Sequence, residues 1–266
     1  MTLKPISTAF TLFAASAILG ACGGGGGGVG GGGGEPPVEP GTTAPGGLYV
    51  GYYQEDPVTN PEDPVPGVFS LNLPAGNGAF SGSMYFTYVG CQTSNFGIVG
   101  GTKADAALAG TWSGTVDGLA QSGSYSGNYS QANGSYSGTY SNAGGKQFRD
   151  LRPCIQYTIA PKGTWEMFPV ETQVPAASLD VTVVARTVNW KSVGGAVFSL
   201  VYVLDETVAK STGNPVVWQA LIAAGTSAVI PANVLLQPGK VYIAAVGVSD
   251  AARQRLAFGS RRFTQP

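Results

Sequence analysis

Aromatic and small polar residues alternate along three similar segments in the first half of the chain: GTWSGTV from position 110, GSYSGNY from 123 and GSYSGTY from 134. Successive side chains of a β-strand point to opposite faces, so this spacing gathers the aromatic side chains on one face and Ser, Thr and Asn on the other. The aromatic face comprises Trp112, Tyr125, Tyr129, Tyr136 and Tyr140. The pattern predicts neighbouring strands with an aromatic core face.

The same alternation occurs earlier, in FSGSMYFTY from position 80, where Tyr85 falls on the outward face. Glycines on the aromatic face allow strands to bend, and Asp117-Gly118 and Asn133-Gly134 are hairpin-turn signals. We therefore predict that residues 47–169 form an antiparallel β-meander or small barrel of about six to eight strands. Its aromatic face is either a plain core or the wall of a ligand cavity. The pattern resembles the small, lipocalin-like barrel domains of bacterial surface lipoproteins.

The second half, residues 172–266, also shows short apolar alternating segments and no helical period. The segment LQPGKVY ending at Tyr242, together with Trp190, resembles a fibronectin type III domain. This resemblance implies an Ig-like β-sandwich in which the Tyr242 hydroxyl caps a loop and Trp190 is buried. The strands that the resemblance implies are Leu179–Val183, Thr187–Trp190, Ala196–Leu204, Val216–Ala220, Thr226–Ile230, Lys240–Val248 and Arg253–Phe263. The sequence departs from the family in its first strand and has no Arg-Gly-Asp motif.

The chain begins with a segment typical of a lipoprotein leader. Lys4 precedes an apolar stretch that ends in Leu19-Gly20-Ala21-Cys22, the pattern of a lipobox. We expect residues 1–21 to be a signal peptide and Cys22 to carry the acyl chains, including palmitate, that form a lipid anchor. The alternative, a spanning helix, is disfavoured because the stretch is short and contains Pro5. Residues 22–46, rich in Gly and Pro, then form a disordered tether.

Gly23 follows the cysteine where some lipoproteins have aspartate. By its resemblance to Gram-negative outer-membrane lipoproteins, the chain is expected to be lipid-anchored in the outer membrane. Either the periplasmic or the surface face of that membrane is compatible with the sequence. The membrane is thus one partner, through the acyl chains on Cys22.

The composition removes several classes of function. The sequence has no histidine, a charged fraction of 11% and a net charge of −1. It therefore lacks His-based catalytic and metal sites, and it has no basic footprint for nucleic acid. No nucleophile elbow or phosphate-binding loop is present either. We expect no enzyme activity, no catalytic residues, no cofactor and no metal.

Two cysteines remain beyond Cys22, namely Cys91 and Cys154. An even pair in an oxidising compartment predicts a disulfide in the cell envelope. Such a bond stabilises by about 4 kcal/mol in the chain-entropy model for a loop of this length. The alternative is a pair of buried free thiols.

Three further features can be interpreted either as binding sites or as purely structural features. The acidic segment QEDPVTNPEDP from position 54 is either a calcium loop or an exposed, proline-stiffened loop, and the second interpretation is favoured. The arginines of the last predicted strand are either a patch for anionic headgroups or glycans, or charges that protect a sheet edge. They are Arg253, Arg255, Arg261 and Arg262. Trp218 is either an exposed contact or part of the core.

Two hypotheses for function follow. The first is a non-enzymatic binding or adhesion protein of the cell envelope, displayed on the tether, with an unknown protein or glycan partner and unknown binding residues. The second is a structural or accessory subunit of a periplasmic or outer-membrane assembly that interacts through strand edges.

Overall fold

The computed structural model describes residues 44–56, 66–87, 94–116, 119–142, 162–170, 179–252 and 254–265. Within these ranges the protein is all-β, as predicted, with one helical turn, α1 (Glu206–Ala209). Several predicted features lie outside the described residues, namely the signal peptide, Cys22 and most of the tether, the greater part of the acidic segment, Cys91, Cys154 and Arg253.

The first strands close into an antiparallel barrel. They are β1 (Gly47–Glu55), β2 (Pro66–Leu73), β3 (Gly78–Thr87), β4 (Ser94–Ala104), β5 (Ala107–Val116), β6 (Leu119–Ser130), β7 (Ser135–Asn142) and β8 (Lys162–Pro169). Each strand pairs with the next in sequence, and β8 pairs with β1, from Tyr49 opposite Pro169 to Glu55 opposite Gly163. The predicted meander is thus a closed barrel of eight strands.

The aromatic face predicted from the alternation lines the inside of the barrel. Trp112, Tyr125 and Tyr136 are buried there, and Tyr129 and Tyr140 pack against them. Glycine is required where an aromatic ring lies directly against the backbone of a barrel strand. A Cβ on Gly127 would clash with the Trp165 ring and the Ser137 carbonyl. Small residues on the inner face therefore make room for the large ones.

The second half forms two packed sheets. Its strands are β9 (Val181–Val184), β10 (Thr187–Trp190), β11 (Phe198–Asp205), β12 (Val216–Ala223), β13 (Ser227–Val229), β14 (Val241–Ser249) and β15 (Arg255–Thr264). One sheet has the order β13-β10-β9 and the other the order β12-β11-β14-β15. Each of the strands β9 to β15 lies within a predicted strand or overlaps one closely. Trp190 is buried, and the Tyr242 hydroxyl accepts a hydrogen bond from the Gln237 backbone N–H at 2.8 Å.

The four-stranded sheet packs against other elements on both faces. One face packs on the three-stranded sheet through Val201, Val203, Ala244 and Val246. The other face packs on the outside of the barrel and forms a second apolar cluster. From the barrel this cluster takes Leu48, Val50, Tyr52, Val68, Tyr85 and Phe168, and from the sheet Leu200, Tyr202, Leu204, Ile243, Ala245 and Phe258. Residues 40–266 accordingly form one compact unit.

Tyr85, which the sequence placed on the outward face of the barrel, is buried by the contact between the barrel and the four-stranded sheet. It points out of the barrel, as predicted, but it is only 1% exposed because the four-stranded sheet covers it. Its ring lies 6.1 Å from that of Tyr202, and its hydroxyl hydrogen-bonds with Ser70 Oγ. The outward-facing tyrosine therefore belongs to an internal contact and is not available as a binding surface.

Candidate functional site

The barrel lumen is filled by its own side chains. The remaining cavity has a volume of about 50 Å³ and is lined by apolar and aromatic residues that include Tyr53, Trp112 and Trp165. Sites for small molecules typically enclose about 300–1,000 Å³. The lumen is therefore a core, and the plain interpretation of the aromatic face applies.

Ring contacts fix this core in place. Trp165 meets Phe69 and Tyr125 edge-to-face, each at 6.0 Å between ring centroids, and its Nε1 donates to the Thr139 carbonyl at 3.1 Å. Burial raises the pKa of Tyr136 to about 12 and raises that of Tyr125 as well. The Tyr125 and Tyr136 phenols are therefore neutral at physiological pH.

One end of the barrel is closed by a buried lysine. Lys103, 1% exposed, donates hydrogen bonds from Nζ to the carbonyls of Ala44 at 2.6 Å, Pro74 at 3.1 Å and Ala75 at 3.2 Å. The Tyr49 hydroxyl holds the same entering segment by donating to the Pro45 carbonyl at 2.9 Å. Burial lowers the pKa of Lys103. The chain thus enters the barrel at this closed end.

The opposite end carries a groove of about 450 Å³ that is lined mostly by polar residues, although most of the surface they expose there is apolar. It lies at the rim of the barrel where β7, β8 and β1 meet, since its lining combines outward Thr139 and Thr164 with inward Tyr140. Its lining includes the hydroxyls of Thr139, Ser141 and Thr164 and the amides of Gln54 and Gln254. Gln254 comes from the second half of the chain, so the groove lies at the junction of barrel and sheet.

Hydrogen bonds hold the two amides of the groove in fixed positions. Gln54 Nε2 donates to Gln254 Oε1 at 2.6 Å, and the Arg255 backbone N–H donates to Gln54 Oε1, also at 2.6 Å. The Gln254 backbone N–H donates to Asp250 Oδ1 at 2.8 Å. The groove is therefore preorganised by contacts between positions 200 residues apart in sequence.

Rows of hydroxyl side chains run from the groove across the free side of the barrel. Thr164 pairs with Thr139, which pairs with Ser126. In the next row Ser141 pairs with Ser124, which pairs with Thr111. All of these side chains are exposed. The outward positions of β5 to β7 whose exposure is described carry no charged residue.

Two of the predicted arginines, Arg255 and Arg262, are engaged within the protein, whereas Arg261 is exposed. Arg255 pairs with Glu166 of the barrel at 2.8 Å, and Arg262 donates from Nε to Glu206 Oε2 at 2.5 Å. Burial alone would raise the pKa of Glu206, but hydrogen bonds from Arg262 and Lys210 hold it below its ordinary value. Two of the predicted patch residues thus serve internal contacts.

The remaining predicted residues contribute little to a described site. Trp218 is half-buried on β12 opposite Val203 and packs against the sandwich core. Among the described residues no group of three or more potential ligands is placed to hold a metal ion. In the same part of the chain, no helix has the length and apolar character needed to cross a membrane. Lys103 and Gln254 were not predicted, since no local motif marks them. Gln54 lies in the acidic segment, which was predicted as a calcium loop or an exposed loop, and it belongs to β1 instead.

The fold and the groove define an all-β protein in which a closed barrel and a four-stranded sheet share an apolar cluster, the shared core, besides the lumen and the core between the two sheets. No protein-family model matches the chain, and no curated protein is significantly similar to it.

Proposed function

We propose that the protein is a non-enzymatic, lipid-anchored binding protein of the cell envelope. The observation that carries this proposal is the polar groove at the junction of barrel and sheet, continued by exposed hydroxyl rows, beside a lumen too full for a ligand. Surface recognition is therefore favoured over transport of a molecule inside the barrel. The partner is a glycan or a protein.

The proposed anchor is acylated Cys22 in the outer membrane. The support comes from the lipobox in the sequence.

The second half is proposed to be a fibronectin type III-like sandwich. Its support is the arrangement of three strands against four, the buried Trp190 and the hydrogen bond from the Gln237 backbone to the Tyr242 hydroxyl. We also propose the Cys91–Cys154 disulfide. Cys91 falls between β3 and β4 and Cys154 between β7 and β8, and in an antiparallel barrel both connections leave at the same end.

The anchor and the binding function are tested separately. Radiolabelled palmitate should label the full chain in a Gram-negative host and should not label Cys22→Ala. The purified full chain should bind immobilised peptidoglycan, glycans or host-matrix proteins more than a matched fibronectin-type control domain does. Binding no greater than that of the control for all three would contradict the proposal.

A second candidate function is a subunit of an envelope assembly. Strand β12 favours it, since this strand forms the edge of the four-stranded sheet and its sequence, VVWQALIA, contains no charge. Uncharged edges are open to pairing with another strand. Photo-crosslinking from position 221 in cells should capture a protein partner if this function holds, and capture of none would count against it.

A further inference from the structure

We infer that the groove binds an uncharged saccharide, and that the hydroxyl rows beside it extend the site for a polymer. This inference rests on the proposed binding function and specifies its ligand class. The size of the groove comes first: about 450 Å³ lies within the range of sites for small molecules and sugar units. Its position at the mouth of a barrel and at a junction between two sheets is also typical of such sites.

The chemistry of the lining selects against other ligands. An apolar ligand would cover the exposed hydroxyls of Thr139, Ser141 and Thr164 without offering them a hydrogen-bond partner. Among the described residues that line the groove, Lys162 and Asp56 oppose each other's charge, since Lys162 Nζ lies 3.9 Å from Asp56 Oδ2. Glu55, also at the border, is 1% exposed.

A neutral polyhydroxyl ligand matches the groups that remain. Each hydroxyl of a sugar both donates and accepts hydrogen bonds, and so do Ser and Thr hydroxyls and Gln amides. The Gln54 and Gln254 amides are already held by a 2.6 Å hydrogen bond, so little side-chain freedom is lost when a ligand binds. The groove is thus prepared for directional hydrogen bonding.

The rows outside the groove have a regular spacing. Neighbouring strands lie about 4.8 Å apart, so the row from Thr164 through Thr139 to Ser126 repeats a hydroxyl at that interval. The row from Ser141 through Ser124 to Thr111 runs beside it. A polymer of repeated neutral sugar units would continue from the groove along these rows, while a single sugar would occupy the groove alone.

The test uses the full chain and a panel of defined probes. The uncharged probes are oligomers of glucose, galactose, mannose and N-acetylglucosamine, and the charged probes are sialylated and sulfated oligosaccharides. We expect at least one uncharged oligomer to bind, with affinity rising with oligomer length. Binding of charged probes alone, or of no uncharged probe, would overturn the inference.

Two variants locate the site. Thr164→Arg and Thr139→Arg each place a large charged side chain at an exposed groove position and should reduce affinity at least tenfold. The matched control is Thr182→Arg, at an exposed strand position on the three-stranded sheet, which should bind as the parent does. If Thr164→Arg, Thr139→Arg and Thr182→Arg bind the oligomer with equal affinity, the saccharide site does not lie in the groove. If the chain binds a matrix protein but no uncharged oligomer, the proposed function stands and this inference falls.

Discussion

The two outer sides of the barrel differ in exposure although they enclose one lumen. On the side formed by β1, β2, β3 and β8, outward residues such as Val50, Tyr52 and Phe168 are buried under the four-stranded sheet. On the side formed by β5 to β7, outward residues such as Ser124 and Thr139 are exposed hydroxyls. The inward side chains form the core of the barrel. The outward side chains determine which side of the barrel packs against the four-stranded sheet.

Serine itself differs between the two sides. On the covered side Ser83 is buried, and its Oγ donates to the Gly213 carbonyl at 2.9 Å. On the free side Ser122 is exposed at an equivalent outward position. The same residue type is therefore a structural contact on one side and a solvated hydroxyl on the other.

The largest expected effect is the loss of an aromatic side chain from the covered side. Tyr85→Ala should reduce the free energy of unfolding by about 3–5 kcal/mol, since a fully buried ring leaves a cavity in the shared core. Urea unfolding of the full chain measures this change. Ser124→Ala, also outward but on the free side, should stay within about 0.5 kcal/mol of the parent. Similar losses in both variants would remove the distinction between the sides.

Adding an atom to the contact between barrel and sheet should reduce the free energy of unfolding less than Tyr85→Ala does. A Cβ on Gly247 would clash with the ring of Tyr52, so Gly247→Ala should destabilise the protein by about 1–3 kcal/mol. The control is Gly194→Ala, where an added Cβ meets nothing within 4 Å. That variant should be neutral or up to about 1 kcal/mol more stable in the same unfolding assay. An unaffected Gly247→Ala would mean that the two halves are not in close contact.

A single hydrogen bond across the contact has a smaller expected effect. Ser83→Ala leaves the Gly213 carbonyl without its donor and should cost about 0.5–1.5 kcal/mol by thermal or urea unfolding. Ser122→Ala, on the free side, should show no such loss. The result that would count against the comparison is an equal effect of the two substitutions.

The smallest effect is expected at the rim of the contact. Arg255 pairs with Glu166 at 2.8 Å, with side-chain exposures of 26% and 22%, and its guanidinium lies 5.9 Å from the centroid of the Tyr52 ring. Arg255→Gln should cost about 0.2–1 kcal/mol at low salt and less at high salt, because partly exposed pairs are screened. Lys191→Gln, in the exposed pair with Asp180, provides the control and should be nearly neutral.

Local alternation was enough to predict the aromatic inner face and four barrel strands, β3, β5, β6 and β7. Trp112 and Tyr125 face inward because a period of two residues fixes the side on which each side chain lies. The closure of the barrel was left open, since β1 and β8 pair across more than a hundred residues, as Tyr49 does with Pro169. No local pattern encodes that pairing.

The covered side of the barrel did leave a signal in the sequence. Strand β1, GLYVGYYQE, has apolar residues on both faces, and its burial extends to both. Strands buried on two faces are expected to read as continuous apolar runs. The groove left no comparable signal, because Gln54 and Gln254 come together only through the packing of barrel and sheet.

The most direct test of the shared core is the unfolding of the two halves within one chain. The sequence has four tryptophans, Trp112 and Trp165 in the barrel and Trp190 and Trp218 in the sandwich. With 5-fluorotryptophan, each gives its own ¹⁹F NMR signal along a urea titration of the full chain. The shared core predicts that all four native signals disappear at the same urea concentration. Loss of the barrel pair at one concentration and of the sandwich pair at another would contradict it.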